Sequence, residues 1–290
     1  MQDSRLSLAG AQSKTGWFLP RGKDAKKAGS GDWMLPLGSA PSTHIVKIAS
    51  TKHPDLPFNE LICMTAASAA GLEIARSEAS DTIPGAFFSE RYDRIWSNEP
   101  PSMSGFDVPL RLHQEDFCQA VGWPSYMKYE TRPDSCYMAL CGRLIREQSS
   151  NVIADTQMFA RQVMVDYALG NCDSHLKNHS FLYSPSWREK RLAPAYDIVC
   201  TTIMGYDHNL GIDIGDHRVI DGVTPEDFEF MSQDLHLPLK MIKNIAAEVA
   251  EEVSAQLAEL ASATGDLGRV ALKIQTDSVE RMRVLEQFSA

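Results

Sequence analysis

The chain has 290 residues, 43% of them apolar and 23% charged, an ordinary globular balance and enough length for two modest domains or one bilobal one. Its 28 Lys and Arg against 38 Asp and Glu leave a net charge of −10, which excludes a broad face gripping nucleic acid but permits docking on a basic partner. Cys63, Cys118, Cys136, Cys141, Cys172 and Cys200 form no CxxC pair and read as free thiols of a reducing, cytoplasmic compartment. No apolar run approaches the roughly 18 residues of a membrane span, and MQDSRLSLAG lacks the charged leader and apolar core of a signal peptide.

The first third reads as β-rich. RLSLAG (5–10) and TGWFLP (15–20) predict two strands joined by a short turn, and residues 21–33, rich in Gly and Lys, an exposed loop. STHIVKIAS (42–50) is a β-branched strand. After a Pro-rich break, NELICMTAASAAG has helical apolar spacing and stops at Gly71, a C-cap signal. GAFFSERYDRIW (85–96) returns to strand, and SNEPPSMSG (97–105) is a loop. From His113 the pattern turns helical: HQEDFCQAVG is a short helix, and residues 155–170 form a longer one with Asp155 as its expected cap. Residues 241–261 place Ile242, Ile245, Val249, Val253, Leu257 and Leu260 on one stripe, opposite an acidic solvated face. The expected architecture is α+β and bilobal, with a β-rich N-terminal lobe over 1–112 and a helical lobe over 113–290. The cleft between two such lobes is a natural ligand site.

ALGNCDSHLKNHSFLY (168–183) concentrates the reactive side chains. Cys172, His175 and His179 are zinc-ligand types, but no HExxH base and no second ligand pair accompany them, so the histidines read as core or loop residues. Cys172 adjoins Asp173, whose charge raises the thiol pKa and argues against a thiolate nucleophile. Asp173 and Asn178 form D-x-x-x-x-N, the spacing with which kinases place a proton-accepting Asp and a metal-binding Asn. Alone that motif is common by chance.

The remaining parts occur in a compatible order. LAPAYDIVC supplies Asp197, 24 residues beyond Asp173, with SFLYS and RLAP able to form the hairpin between them. THIVKIA supplies Lys47 on a strand, in the style of V-A-I-K, and Glu60 at the start of the next helix is its acidic partner. Lys47 as an edge-strand lysine and Glu60 as a glutamate favoured by the helix dipole are respectable alternatives singly; in this order the phosphoryl-transfer reading outweighs them. No G-x-G-x-x-G or Walker A precedes Lys47. SLAGAQSK (7–14) has one Gly in a small-residue turn that can present backbone N–H groups to phosphate, a weak signal on its own.

Together SLAGAQSKTG, THIVKI, NELICMTAASAAGLEIARSEA, SERYDR, RLHQEDFCQAVGWPSYMKYE, LGNCDSHLKNHSFL, RLAPAYDIV and NLGIDIGD resemble the HipA family of bacterial serine/threonine kinase toxins, from about residue 5 to about 235 and in family order. The resemblance implies a fold related to protein and phosphoinositide kinases, with ATP and Mg²⁺ as cofactors. It implies Asp173 as catalytic base, Asn178 and Asp197 as Mg²⁺ ligands, and Lys47 on the ATP phosphates. Ala9, Gly10, Ala11, Gln12, Ser13 and Lys14 would form the nucleotide loop. Glu90 and Tyr92 would be hinge residues offering backbone groups to adenine, and His175 a loop histidine beside the site. Ser7, with Ser4 as second candidate, matches a serine whose autophosphorylation expels the loop in this family. Family members phosphorylate aminoacyl-tRNA synthetases, so a synthetase is the expected substrate.

Full-length members carry a further N-terminal subdomain before the nucleotide loop, which here starts at residue 7. The expectation is a short form resembling HipT, partnered by a small HipS-like protein and a DNA-binding HipB-like antitoxin, with no direct nucleic-acid contact and no membrane contact of its own. Two rivals stand beside it: a small-molecule phosphotransferase of the aminoglycoside-kinase type, which shares D-x-x-x-x-N, and a non-catalytic nucleotide-binding module, which would lack one of Asp173, Asn178, Asp197 or Lys47. The chain has all four.

Overall fold

A computed structural model describes residues 14–131 and 135–290. The expected strand 5–10 lies outside them, as do Ser4, Ser7 and the loop residues Ala9 to Ser13. The first strand, β1 (Lys14–Trp17), pairs antiparallel with β2 (His44–Ile48), whose Ile45, Val46 and Ile48 suit a pleated surface. Helix α1 (Leu56–Ala69) follows, then β3 (Ser77–Ala79) and β4 (Ala86–Glu90), giving one antiparallel sheet in the order β1-β2-β4-β3. Lys47 is therefore on an inner strand, opposite Lys14 on one side and Phe87 on the other.

The stretch 21–33 is more than an exposed loop. Trp33 and Ala28 are buried in a small core with Leu19, Val46, Ala86 and Phe88, and the Trp33 ring stacks on Phe88 at 4.5 Å between centroids. The burial available to one large aromatic outweighs the local Gly and Lys composition. Short pairs continue the chain: β5 (Arg94–Ile95) pairs with β8 (Leu110–Arg111), and β6 (Ser102–Met103) with β7 (Phe106–Asp107). The expected loop 97–105 thus contains half a hairpin, turned by Ser104 and Gly105 at φ of 52° and 82°, the double left-handed turn that matches strand twist.

Gln114–Asp116, expected as helix, forms β9, and Asp116 then caps α2 (Phe117–Val121) by accepting from the Gln119 N–H at 2.9 Å. Helices α3 (Tyr137–Gln148) and α4 (Val152–Leu169) follow. Asn151, not Asp155, caps α4; the Asp155 carboxylate is buried and holds Arg191 at 2.8 Å and the Leu192 N–H at 2.9 Å. Strands β10 (Ser180–Tyr183) and β11 (Lys190–Leu192) join β9 in a three-stranded sheet, and β12 (Asn209–Ile214) pairs with β13 (His217–Val219). Helices α5 (Pro225–Leu235), α6 (Leu239–Ala261) and α7 (Gly265–Ser289) complete the fold. The α6 stripe is buried at Ile242, Ile245, Val249, Val253 and Leu257, and half-buried at Leu260.

The main core runs from α1 through α3 and α4 to α6 and α7, so apolar packing crosses the expected boundary at residue 112. Helix α1 makes this possible. Its small Ala66 and Ala67 allow close approach, Gly71 follows its end at φ 81°, and it touches β3 and β4 as well as α4, α6 and α7. Among the described residues no helix is long and apolar enough to cross a membrane.

Candidate active site

Helix α4 stops at Gly170, which takes φ 73° and turns the chain into the loop bearing Asp173. Buried groups fix that loop from behind. Thr201 accepts from the Cys172 N–H at 2.8 Å and donates to the Gly170 carbonyl at 3.0 Å. Asp166 accepts from the Asn171 amide on one oxygen and from the Ser174 hydroxyl on the other, both at 2.7 Å. Burial pushes Asp166 up to about 7. The Asp173 carboxylate accepts from the Tyr129 hydroxyl, and burial raises its pKa against the opposing pull of Tyr129 and Lys128. A three-ten turn over Leu176–Asn178 brings Asn178 back, with its side-chain amide donating to the Asp173 carbonyl at 3.2 Å.

Asp197 arrives from the other side. Ala195 is stitched to the segment after α1, accepting from the Ala75 N–H at 2.9 Å and donating to the Glu73 carbonyl at 2.7 Å. The Asn59 side chain on α1 both donates to and accepts from the Cys200 backbone at 2.9 Å. Between these pins Asp197 sits at φ 61°, a left-handed conformation unusual for a non-glycine residue and found where a site holds a side chain in place. Its carboxylate meets Lys47 directly and Lys14 at 3.4 Å. Two lysines opposite each other on antiparallel strands share a face and repel; Asp197 offsets that repulsion.

Lys47 also binds Glu60 at 2.5 Å, with both side chains almost fully buried. Burial opposes the Lys47 charge, but the carboxylates of Glu60 and Asp197 outweigh it and raise its pKa; burial likewise works against the Asp197 charge, yet Lys47 and Lys14 hold that carboxyl well below its usual range. Burial works against the Glu60 charge too and raises its pKa, against the pull of Lys47. Its second oxygen has no hydrogen-bond partner among the described residues.

Two cavities open here. One, of about 190 Å³, is lined by Asp173, Asn178, His175 and Lys128; the other, of about 170 Å³, by Lys47, Glu60, Glu90 and Tyr92. Lys14, Tyr196 and Asp197 belong to both. The Glu90 N–H is already given to the Arg76 carbonyl at 2.7 Å and the Arg91 N–H to Thr43 at 2.9 Å, so Glu90 is no donor for a ligand here. The Tyr92 ring lies against Tyr196, 5.7 Å between centroids.

The other reactive side chains have structural surroundings. Burial lowers His175 and His179 to about 3, with Lys128 adding to the effect at His175. His179 sits among the rings of Phe117 and Phe159. The Cys172 thiol is pushed up to about 12, by burial rather than by the neighbouring Asp173. Sequence reasoning drew no chemistry from Lys128, Tyr129, Asp166 or Asn171. The first two stand in YMKYE, a motif whose contact with Asp173 spans 44 residues and leaves no periodic signal.

The family model of the HipA-like C-terminal domain matches residues 6–257. The Y4mE protein of Sinorhizobium fredii is 28% identical over 265 residues, covering 91% of this chain and 59% of that protein. The serine/threonine-protein kinase toxin HipA of Shewanella oneidensis is 28% identical over 273 residues, covering 88% and 57%. This chain thus spans under three-fifths of the length of either relative. Among solved structures, Shewanella oneidensis HipA, in complex with HipB and operator DNA, aligns with the whole chain and 68% of its own at a TM-score of 0.78 and 23% identity. The Helicobacter pylori proinflammatory kinase CtkA aligns at a TM-score of 0.55 and 11% identity, over 85% of this chain and 90% of that one. Both likenesses are of fold, and they bear out the expected bilobal kinase-like architecture. With the family match covering most of its length, the chain belongs to the HipA-like C-terminal domain family.

Proposed function

We propose that the protein is a serine/threonine protein kinase that transfers the γ-phosphoryl group of ATP to a protein hydroxyl. The observation that carries this reading is the convergence of Lys47, Glu60 and Asp197 beside the Asp173–Asn178 loop on two adjoining cavities. Lys47, held by Glu60, presents an ammonium to phosphate oxygens. Glu90 and Tyr92 take the hinge roles, Glu90 through its carbonyl, since its N–H is given to Arg76. Asp173, Asn178 and Asp197 offer only oxygen donors that can face a cation, a hard set that suits Mg²⁺. Asn178 and Asp197 would hold that ion, which neutralises phosphate charge when bound.

In the reaction the acceptor oxygen bonds to the γ-phosphorus while the bond from that phosphorus to the β-phosphate oxygen breaks, and ADP leaves. The hydroxyl proton passes to the Asp173 carboxylate, whose raised pKa improves it as a base.

The finer assignments rest on the relatives and on the motif resemblance. HipA of Shewanella oneidensis is named a kinase toxin, and its structure was solved with HipB and operator DNA. By that likeness the protein acts as the toxin of a toxin–antitoxin pair; the motif resemblance in its sequence, rather than these relatives, adds an aminoacyl-tRNA synthetase as its substrate and translation arrest as the outcome. A HipB-like antitoxin and a HipS-like small protein are the partners to seek by co-purification. Ser7 and Ser4 are the autophosphorylation candidates, and a phosphate there adds nearly two negative charges beside the nucleotide loop. Quantitative phosphoproteomics of cells expressing the wild type or Asp173→Ala tests the substrate. A synthetase phosphorylated only with the wild type supports the reading, and an unchanged phosphoproteome contradicts it.

A further inference from the structure

Three lysines line the cavity that holds Asp173: Lys14, Lys128 and Lys177. Lys14 is paired with Asp197 and Lys177 with Asp116, the latter at 2.6 Å. Lys128 makes no ion pair among the described residues. Its ammonium meets the His175 Nε2 at 2.7 Å and lies 4.6 Å from the centre of the Tyr129 ring. An ammonium has no lone pair, so at this distance the His175 Nε2 is the acceptor, as only an uncharged imidazole can be. The Lys128 side chain thus lies partly out of water against a neutral acceptor and a ring face. Such a cation gains most from an anion entering the cavity.

Its placement is also fixed. The Lys128 carbonyl accepts from the Leu176 N–H of the catalytic loop at 3.2 Å, and the adjacent Tyr129 hydroxyl donates to Asp173. The Tyr129 ring packs edge-on against His175, 5.0 Å between centroids. Backbone, ring and ammonium all register Lys128 to the loop carrying the base.

Building on the kinase reading above, we propose that Lys128 is a further catalytic residue, whose ammonium receives the non-bridging oxygens of the phosphoryl group in flight, and that the His175 imidazole is the positioning residue that holds it. A loose transition state spreads charge over those oxygens, and one preorganised donor to developing charge contributes on the order of 10²–10³ in rate. The bond changes are those given above. Lys128 forms and breaks no covalent bond and keeps its proton.

A purely electrostatic role, lowering the Asp173 pKa, is the alternative to exclude. Wild type, Lys128→Met, Lys128→Arg and His175→Gln are compared for transfer of label from γ-labelled Mg·ATP across pH. They are compared also for thermal shift with Mg·ADP alone and with Mg·ADP plus aluminium fluoride. The expected result is a plateau rate for Lys128→Met down about 10²–10³-fold, with an unchanged shift from Mg·ADP but loss of the extra shift from aluminium fluoride. Lys128→Arg, which keeps the charge, recovers part of both; His175→Gln falls between. If Lys128→Met keeps its plateau rate and merely moves its acid limb upward, Lys128 only tunes Asp173 and the assignment is overturned. A wild type that transfers no label overturns the kinase reading and this assignment together, whereas equal activity in wild type and Lys128→Met overturns this assignment alone. Unliganded melting temperatures show that each variant is folded.

Discussion

Lys47 on an inner strand and Asp197 in a left-handed turn form a direct ion pair although 150 residues separate them. Glu60 completes the arrangement from α1, so that a single ammonium carries two carboxylates. Removing Lys47 leaves Glu60 buried without a counter-charge. Lys47→Met is expected to lose roughly 3–5 kcal/mol of stability, the cost of breaking a buried pair, along with phosphoryl transfer. Lys47→Met with Glu60→Gln should regain most of the stability and none of the activity. Denaturant melts paired with a labelled-ATP assay check this, and recovery of activity in the double variant would count against the phosphate role of Lys47.

The base has its own signature. Burial raises the Asp173 pKa above the ordinary carboxylate value, and the ionised form is the one that accepts a proton. The rate is therefore expected to fall as pH drops through that raised value, and to be level above it. Asp173→Asn should lower the plateau rate by about 10²–10⁴ and lose the acid limb, while binding Mg·ADP as the wild type does. Rate measurements across pH for both proteins check this; a wild-type acid limb at or below the free aspartate value contradicts the assignment.

Asp166 makes a stability prediction with a definite sign. Its folded pKa, about 7, lies above the unfolded value near 4, so the folded state binds the proton more tightly. Its contribution is fully present below the unfolded pKa and is lost as pH rises from about 4 to about 7, at roughly 1.4 kcal/mol per pH unit at most. Asp166→Asn has no such slope. Chemical denaturation of both proteins between pH 4 and 8 should show the variant gaining relative to the wild type as pH rises. A difference independent of pH, or one in which the wild type gains on the variant as pH rises, contradicts the account.

Asn59 links α1 to the backbone at Cys200 by two hydrogen bonds. Asn59→Ala is expected to cost roughly 1–3 kcal/mol and to lower activity further than the stability loss alone explains, because it loosens the turn that aims Asp197. Transfer rates measured well below the melting temperature of the variant separate the two effects.

The legible part of this protein lay in residues whose chemistry is tied to a local pattern. Lys47 stood in a β-branched strand and Glu60 near the start of a helix with clear apolar spacing, while Asp173 and Asn178 were a fixed distance apart. The α6 stripe followed from periodicity alone. What escaped was set by tertiary contacts. Trp33 is drawn into the small core by Phe88, although the stretch that leads to it is rich in Gly and Lys. Asp155 gave up a capping position for Arg191 and the Leu192 amide. Lys128 and Asp166 gain their surroundings only once the catalytic loop is folded against them, and neither carries a spacing that announces it. The expected nucleotide loop over Ala9 to Ser13 lies outside the described residues.

Incubation of the purified wild type and Asp173→Ala with γ-labelled Mg·ATP, followed by phosphoamino-acid analysis of the labelled protein, tests the central claim most directly. The account predicts phosphoserine or phosphothreonine with the wild type and loss of at least about 10²-fold in rate with the variant. Equal labelling by the two proteins, or none by the wild type, would contradict it.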